Sequence, residues 1–359
     1  MSMSWLLAFI PVAFALDSMG VNPILVFFAS AAAIVPLASL MEKSTEALAH
    51  YLGPTYGGLL SATMGNAPEL IIGVSALRHG LIDVLKGSIA GSVLGTLLFG
   101  IGITIIAGGI RRPVQSFDRE MVAVNSSLLM LACFGLVVPA VFNFSGKVDE
   151  EISLEIAIVL LAVYVASLVY TILTNRPTVG KEAVEMELKE KGLPEVAEDV
   201  PDWSRSRALG TLAAVAIALA FVSDLLTGSV QPAADALGLT PVFAGVFLLA
   251  MVGNVPQYMN SVSFAYKNQM TLALSINLGA TTQLALMVAP LLVITGSLMG
   301  TPMNLLFSRF ELVGIILSVI TARSLLSDST STWLEGVMLV GVYAMLGFGF
   351  YHLPVSAGH

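Results

Sequence analysis

Apolar runs about as long as a bilayer is thick recur along the whole chain, and they decide what it can fold into. They lie at roughly 5–19, 23–41, 54–77, 84–109, 121–142, 153–174, 207–226, 241–265, 271–299, 310–326 and 333–353. Each approaches the ~20 residues that cross a hydrocarbon core as a helix. Helices suit that core because every backbone N–H and C=O finds its partner within the segment. With 56% of residues hydrophobic and 11% charged, against ~25% charged in a soluble domain, a soluble fold is excluded. The expectation is an all-α polytopic membrane protein with about eleven transmembrane helices. The first run, Trp5–Leu16, is short and is expected to continue to Met19; no Lys or Arg precedes it, which argues against a cleavable signal peptide.

Basic residues set the expected orientation. If the loops alternate sides, one side collects 12 of the Lys and Arg, including Lys43, Arg111, Arg112, Arg119 and Lys267. The other side holds only Arg78, Lys86, Lys147 and Arg309. This bias places the N-terminus in the cytoplasm and the C-terminus outside. It also places the one long polar stretch, 175–206, in the cytoplasm, where residues 177–204 alone carry eight acids and three Lys. That stretch reads as a short amphipathic helix ended by Gly192 and Pro194, followed by an acidic loop. A net charge of -8 argues against nucleic acid as a partner. A single cysteine, Cys133, excludes a disulfide framework or a thiolate metal cluster.

One internal match stands out: MGNAPELIIGVSAL at 64–77 against VGNVPQYMNSVSFA at 252–265. The same offset pairs Gly57 with Gly245, Gly65 with Gly253, Asn66 with Asn254, Pro68 with Pro256, Ser75 with Ser263 and Gly91 with Gly279. The copies sit in the third and eighth runs, an odd interval, so they cross the membrane in opposite directions. The expected organisation is therefore an N-terminal helix (1–22), a five-helix repeat (23–174), the cytoplasmic acidic loop (175–206) and an inverted five-helix repeat (207–355). Inverted repeats place substrate sites near mid-membrane, on interrupted helices.

The repeated Gly-Asn-x-Pro is poor helix sequence. Pro68 and Pro256 have no amide hydrogen for the carbonyls four residues back, Met64 and Val252, so each copy is expected to offer backbone oxygen at a kink beside Gly65 or Gly253 and an Asn oxygen. Carbonyl, amide and carboxylate oxygens are the ligands of hard cations such as Ca²⁺. Glu69 supplies the carboxylate in mid-span, where an acid is costly and marks a functional site by default. A proton and a cation compete there for the same oxygens, which, with access from alternate sides, is antiport.

GNAPELIIGVSAL with GSIAGSVLGTLLFGIG at 87–102, and FAYKNQMTLALSINLGATTQLALMVAP at 264–290, resemble the two repeats of the Ca²⁺/H⁺ antiporters, the cation exchanger branch of the Ca²⁺/cation antiporter superfamily. The resemblance spans about 20–350. It implies the eleven-helix antiporter fold and transport of Ca²⁺ out of the cytoplasm against protons, with the ion held by Glu69, Asn66 and Asn254. Gln257 stands at the second acidic position, and Ser75, Ser263, Gln283 and Glu46 are accessory candidates. Three positions depart from the family: Gln257 and Tyr258 replace a Glu-His pair, and Thr96 replaces an asparagine. An amide coordinates a cation but neither exchanges protons nor offsets the second charge of a divalent ion. Three readings follow: Ca²⁺ exchange with altered proton stoichiometry, Glu46, Asp83 or Asp235 completing the charge; exchange of a monovalent cation such as Na⁺; or a variant that binds and transports poorly.

Structural readings exist for the same residues. Asn66 and Asn254 suit helix caps, Ser75, Ser263 and Gln283 suit helix–helix bridges, and Asp83 and Lys86 suit an i,i+3 ion pair. No cofactor is expected. Gly-x-Ser-x-Gly, His-Glu-x-x-His and P-loop motifs are absent from the sequence, so an intramembrane enzyme is not expected.

Overall fold

A computed structural model of the chain describes residues 3–143, 150–174 and 203–353. The expected acidic loop lies outside the described residues as far as position 202. Nine helical stretches among the described residues are long and apolar enough to cross a membrane. Two further crossings complete the eleven: the short apolar helix Trp5–Ser18, whose regular part is α1 (Phe9–Ser18), and a third span broken in the middle.

That third span corrects the expected boundaries. The expected helices at 23–41 and 54–77 meet at a kink: the first continues past 41 through the polar stretch to Gly53, and α2 (Pro23–Met64) is two helical pieces joined across that non-helical glycine. The polar residues do not end it because their hydroxyls bond backward along the helix, Ser44 to the Leu40 carbonyl at 2.6 Å and Thr45 to that of Met41 at 2.9 Å. Gly53 turns the chain with φ 77°, ψ 174°, a conformation essentially reserved for glycine. The span then breaks at Gly65–Asn66 and resumes as α3 (Ala67–Arg78), with Pro68 in its first turn, where a missing N–H costs nothing.

The fourth span joins α4 (Ile82–Leu94) to α5 (Ile101–Gly109) through a wide π-helical turn, Gly95–Gly100. Next come α6 (Arg119–Asn143), α7 (Glu150–Thr174) and α8 (Arg205–Leu237). A second π turn, Ala244–Leu249, leads into α9 (Ala250–Tyr266). A third, Leu284–Val288, links α10 (Met270–Gln283) to α11 (Ala289–Met299) and falls at the repeat offset from the first. α12 (Arg309–Leu325) and α13 (Trp333–Tyr351) complete the fold. The described residues form an all-helical bundle of two inverted five-helix repeats plus an N-terminal helix. One short antiparallel ribbon is added, β1 (Val114–Ser116) on β2 (Thr330–Thr332), with Gln115 opposite Ser331.

Burial falls into two main apolar clusters and a small third one of Ala47, Leu48 and Ala208. The larger, with Leu94, Ile101, Leu278, Leu292 and Ile315, fills the space among α4, α5 and α10 to α12. The smaller, with Phe27, Ile34, Leu219 and Leu226, joins α2 to α8. α3 lies between them, giving Ile72 to the smaller and Ala76 and Leu77 to the larger. The approach of α4 to the second π turn is also glycine-dependent. A methyl on Gly91 would overlap the Val246 backbone and one on Gly245 the Val84 carbonyl, so α4 and the second π turn meet backbone to backbone.

Candidate cation site

The break at Gly65–Asn66 puts Glu69 in the first turn of α3. Its carboxylate sits at a helix N-terminus, where the unpaired N–H groups and the dipole favour negative charge. It points at α9 of the opposite repeat. A methyl on Gly253 would lie 3.6 Å from Glu69 Cγ and 3.7 Å from Oε1, in ordinary contact, so the acid lies directly over Gly253 with room for little more than a methyl between them. Glu69 Oε2 is buried and has no hydrogen-bond partner. An unpaired carboxylate oxygen in an apolar interior is costly, and here it borders a cavity. The cavity is walled by Ile72 and Gly73 of α3, Leu85, Ser88, Ile89 and Ser92 of α4, and by Leu249, Ala250 and Gly253. Leu284, Val288 and Leu292 close the remaining side. Glu69 is the only acid in this wall, and the two serines, one turn apart on α4, are its only hydroxyls.

Amides flank the acid. Asn66 Nδ2 donates to Gln283 Oε1 at 2.7 Å, joining the helix break to the end of α10, with both side chains buried. Asn254 Nδ2 donates to Ser92 Oγ at 2.9 Å and to the Ala250 carbonyl at 2.7 Å, while its Oδ1 accepts from Thr96 at 3.4 Å. Asn254 thereby ties α9 to α4. Gln257 Nε2 donates to Asn277 Oδ1 at 3.4 Å. Tyr258, 5% exposed, drives its ring into the space left by Gly95 and Gly100 and packs edge-on against Phe99 at 5.6 Å between centroids.

Of the sequence-derived candidates, Glu69 and Gly253 meet at the cavity, and Asn66 and Gln283 bond to each other beside it. Asn254 and Gln257 stand behind the wall. Met64 ends α2 and Gly65 caps it at the break. Val252 packs against the α2–α8 cluster, four residues before Pro256, which lies inside α9. Unlike the first motif the second stays within one helix, and the wide turn Ala244–Leu249 precedes it. Ser75 lies at the other end of α3, its Oγ 2.7 Å from Thr227 Oγ1 and 3.4 Å from Asp224 Oδ1. There His79 Nδ1 is 2.9 Å from the Ser75 carbonyl, and Arg78 pairs with Asp224 at 3.7 Å. Ser263 is exposed, and Glu46 is half-buried on α2. Lys86 reaches Asn304 Oδ1 at 3.0 Å, with the charges of Glu311 and Asp83 nearby.

Sequence reasoning missed Ser88 and Ser92 as cavity residues, and Asn277 as the partner of Gln257. The signal for the serines was present as two Gly-Ser pairs one turn apart in GSIAGSVLG. A helical membrane bundle of two inverted repeats, with a buried acid at a helix break of the first repeat facing the second, defines a multi-pass ion exchanger architecture. The family model for sodium/calcium exchanger proteins matches residues 22–173 and 207–351, and the chain belongs to that family. It is similar to a Ca²⁺/H⁺ antiporter of Aphanothece halophytica, 41% identical over 361 residues, covering 98% of this chain and 96% of that protein. The antiporter ChaA of Bacillus subtilis is 36% identical over 324 residues, 89% of this chain and 90% of that one. The solved structure of native YfkE superposes with a TM-score of 0.82 at 30% identity, covering 98% of this chain and all of that one. The H⁺/Ca²⁺ exchanger CAX shares the fold, with a TM-score of 0.71 at 12% identity over 97% of this chain and 91% of that one.

Proposed function

We propose that the chain is a secondary active Ca²⁺/H⁺ antiporter that exports Ca²⁺ by exposing the Glu69 cavity to the two membrane faces in turn. The observation that carries this reading is the buried Glu69 Oε2, which has no protein partner and borders a cavity that opposed repeats enclose. A proton or a cation satisfies that oxygen, and each must leave for the other to bind. Ser88 and Ser92 add neutral oxygen nearby. Antiporters of the same family at 36–41% identity support the choice of Ca²⁺ and H⁺. The basic bias of the loops supports a cytoplasmic N-terminus and acidic loop with the C-terminus outside, and the inverted motif supports repeats at 23–174 and 207–355 after an N-terminal helix at 1–22. The partners are the inorganic cation, protons and the bilayer, with no cofactor.

A second reading, Na⁺/H⁺ exchange, is favoured by one observation: Gln257, the repeat mate of Glu69, is neutral. In everted vesicles with a preset pH gradient, added Ca²⁺ is expected to collapse the gradient partly. Collapse by Na⁺ and not by Ca²⁺ would select the second reading.

A further inference from the structure

We infer that Tyr258 is a positioning residue for the cavity: acting through Thr96 and Asn254, its phenol holds the hydroxyl of Ser92 in place for the cation. The inference rests on the antiport reading above and adds to it a residue that stands outside the cavity wall. Ser92 and Thr96 lie four apart on α4 and its wide turn, and Asn254 and Tyr258 lie four apart on α9. Each pair therefore shares one helix face. The two faces meet. Asn254 Nδ2 donates to Ser92 Oγ at 2.9 Å, Thr96 Oγ1 donates to Asn254 Oδ1 at 3.4 Å, and the Tyr258 side chain shares a hydrogen bond with Thr96. All four residues are buried.

One group that cannot switch roles sets the direction of this chain. The Ala250 carbonyl only accepts, and Asn254 Nδ2 donates to it at 2.7 Å, which leaves Oδ1 facing Thr96. Thr96 gives its hydrogen to that oxygen, so its own oxygen is the acceptor for the phenol. Every donor then points the same way, from Tyr258 through Thr96 and Asn254 to Ser92, and bonds arranged so polarise one another. Ser92 accepts at the end of the chain. A hydroxyl has one hydrogen and two lone pairs, so Ser92 keeps its hydrogen and one lone pair for the cavity that it lines.

The phenol has a seat of its own. A methyl on Gly95 would lie 2.7 Å from the Tyr258 hydroxyl oxygen, and one on Gly100 would lie 2.9 Å from the ring. The glycines at the two ends of the wide turn thus leave the space that Tyr258 fills, with Phe99 edge-on against it. Packing and hydrogen bonding are separable here, because phenylalanine would fill the same seat and end the chain at Thr96.

The test is Ca²⁺-dependent proton movement by the full chain in everted vesicles, with KM for Ca²⁺ and the maximal rate read separately. Tyr258→Phe is expected to raise KM roughly two- to tenfold, the worth of one hydrogen bond. The maximal rate should be kept, as expected when only ground-state binding is lost. Thr96→Val, which removes both of its links, is expected to raise KM at least as much, and the double variant no further than Thr96→Val. In a Ser92→Ala background, Tyr258→Phe is expected to leave KM unchanged, because its effect reaches the cation through that hydroxyl. Tyr343→Phe is the neighbouring control: its hydroxyl lies near the same turn, 3.9 Å from a methyl at Gly95, and outside the chain. An unchanged KM in Tyr258→Phe, an equal rise in Tyr343→Phe, additive effects in the double variant, or a rise that persists without the Ser92 hydroxyl each overturns the inference and leaves the antiport reading standing. A wild-type chain that moves no protons in response to Ca²⁺ overturns that reading and this inference with it.

Discussion

The two copies of Gly-Asn-x-Pro share their spacing but not their structure. The first breaks its helix at Gly65–Asn66 and starts a new one whose first turn holds Glu69; the second runs unbroken through Pro256, its irregularity displaced upstream into the wide turn at Ala244–Leu249. The difference follows from side-chain bonding. Asn66 makes no cap to its own helix and reaches across to Gln283, so nothing local holds the break closed. Asn254 bonds back to the Ala250 carbonyl of its own helix and across to Ser92, stitching the second copy into a continuous rod. One copy carries the buried carboxylate and the other forms the wall that it faces, with Gly253 as the contact point.

The sharpest test exchanges the roles at 69 and 257. Glu69→Gln is expected to reduce cation-driven proton movement to the level of protein-free vesicles, whereas Gln257→Ala retains exchange. Equal loss in both would mean that the copies contribute alike and would break the comparison. Next in size, Gly253→Val should overpack the contact with Glu69 by about 1–3 kcal/mol and weaken cation binding roughly tenfold. Gly253→Ala should be tolerated, since its methyl would sit at ordinary contact distance. A titration of Ca²⁺-dependent proton release reads both.

The asparagines should differ in stability. Asn254→Ala loses bonds to Ser92, Thr96 and Ala250, while Asn66→Ala loses the bond to Gln283. At about 1–3 kcal/mol for each buried group left unpaired, thermal unfolding in detergent should rank Asn254→Ala as the more damaging; the reverse order would show the break, not the rod, to be the stabilising element. The smallest effect is expected at Gly53→Ala, on the order of 1–3 kcal/mol of backbone strain, with exchange retained per folded molecule.

Much of this arrangement was legible in the chain. The apolar runs fixed the number of crossings, the repeat fixed their opposed directions, and Glu69 stood out because an acid in a long apolar run has few cheap explanations. Hydropathy misjudged α2 because Glu42, Lys43, Ser44, Thr45 and Glu46 look like a loop; the backward bonds of Ser44 and Thr45 let the helix pass through them. The wide turns were invisible, since Gly95–Gly100, Ala244–Leu249 and Leu284–Val288 are leucine-containing apolar stretches that read as ordinary membrane helix. The neutral second half was half-read: Gln257 was seen as a departure, but its bond to Asn277 depends on the approach of two helices that no local pattern encodes.

The small ribbon between β1 and β2 has a mechanical consequence. It joins the strand after α5, in the first repeat, to the strand before α13, in the second. It is pinned from below by Gln115, which donates to the Ile105 carbonyl at 2.8 Å. Two strands alone are marginal, and here that buried amide holds β1 to the helix of its own repeat. The ribbon acts as a strap across one face of the bundle, binding helices of both repeats into a single block. The α2–α8 pair, packed around its own apolar cluster, lies outside the strap.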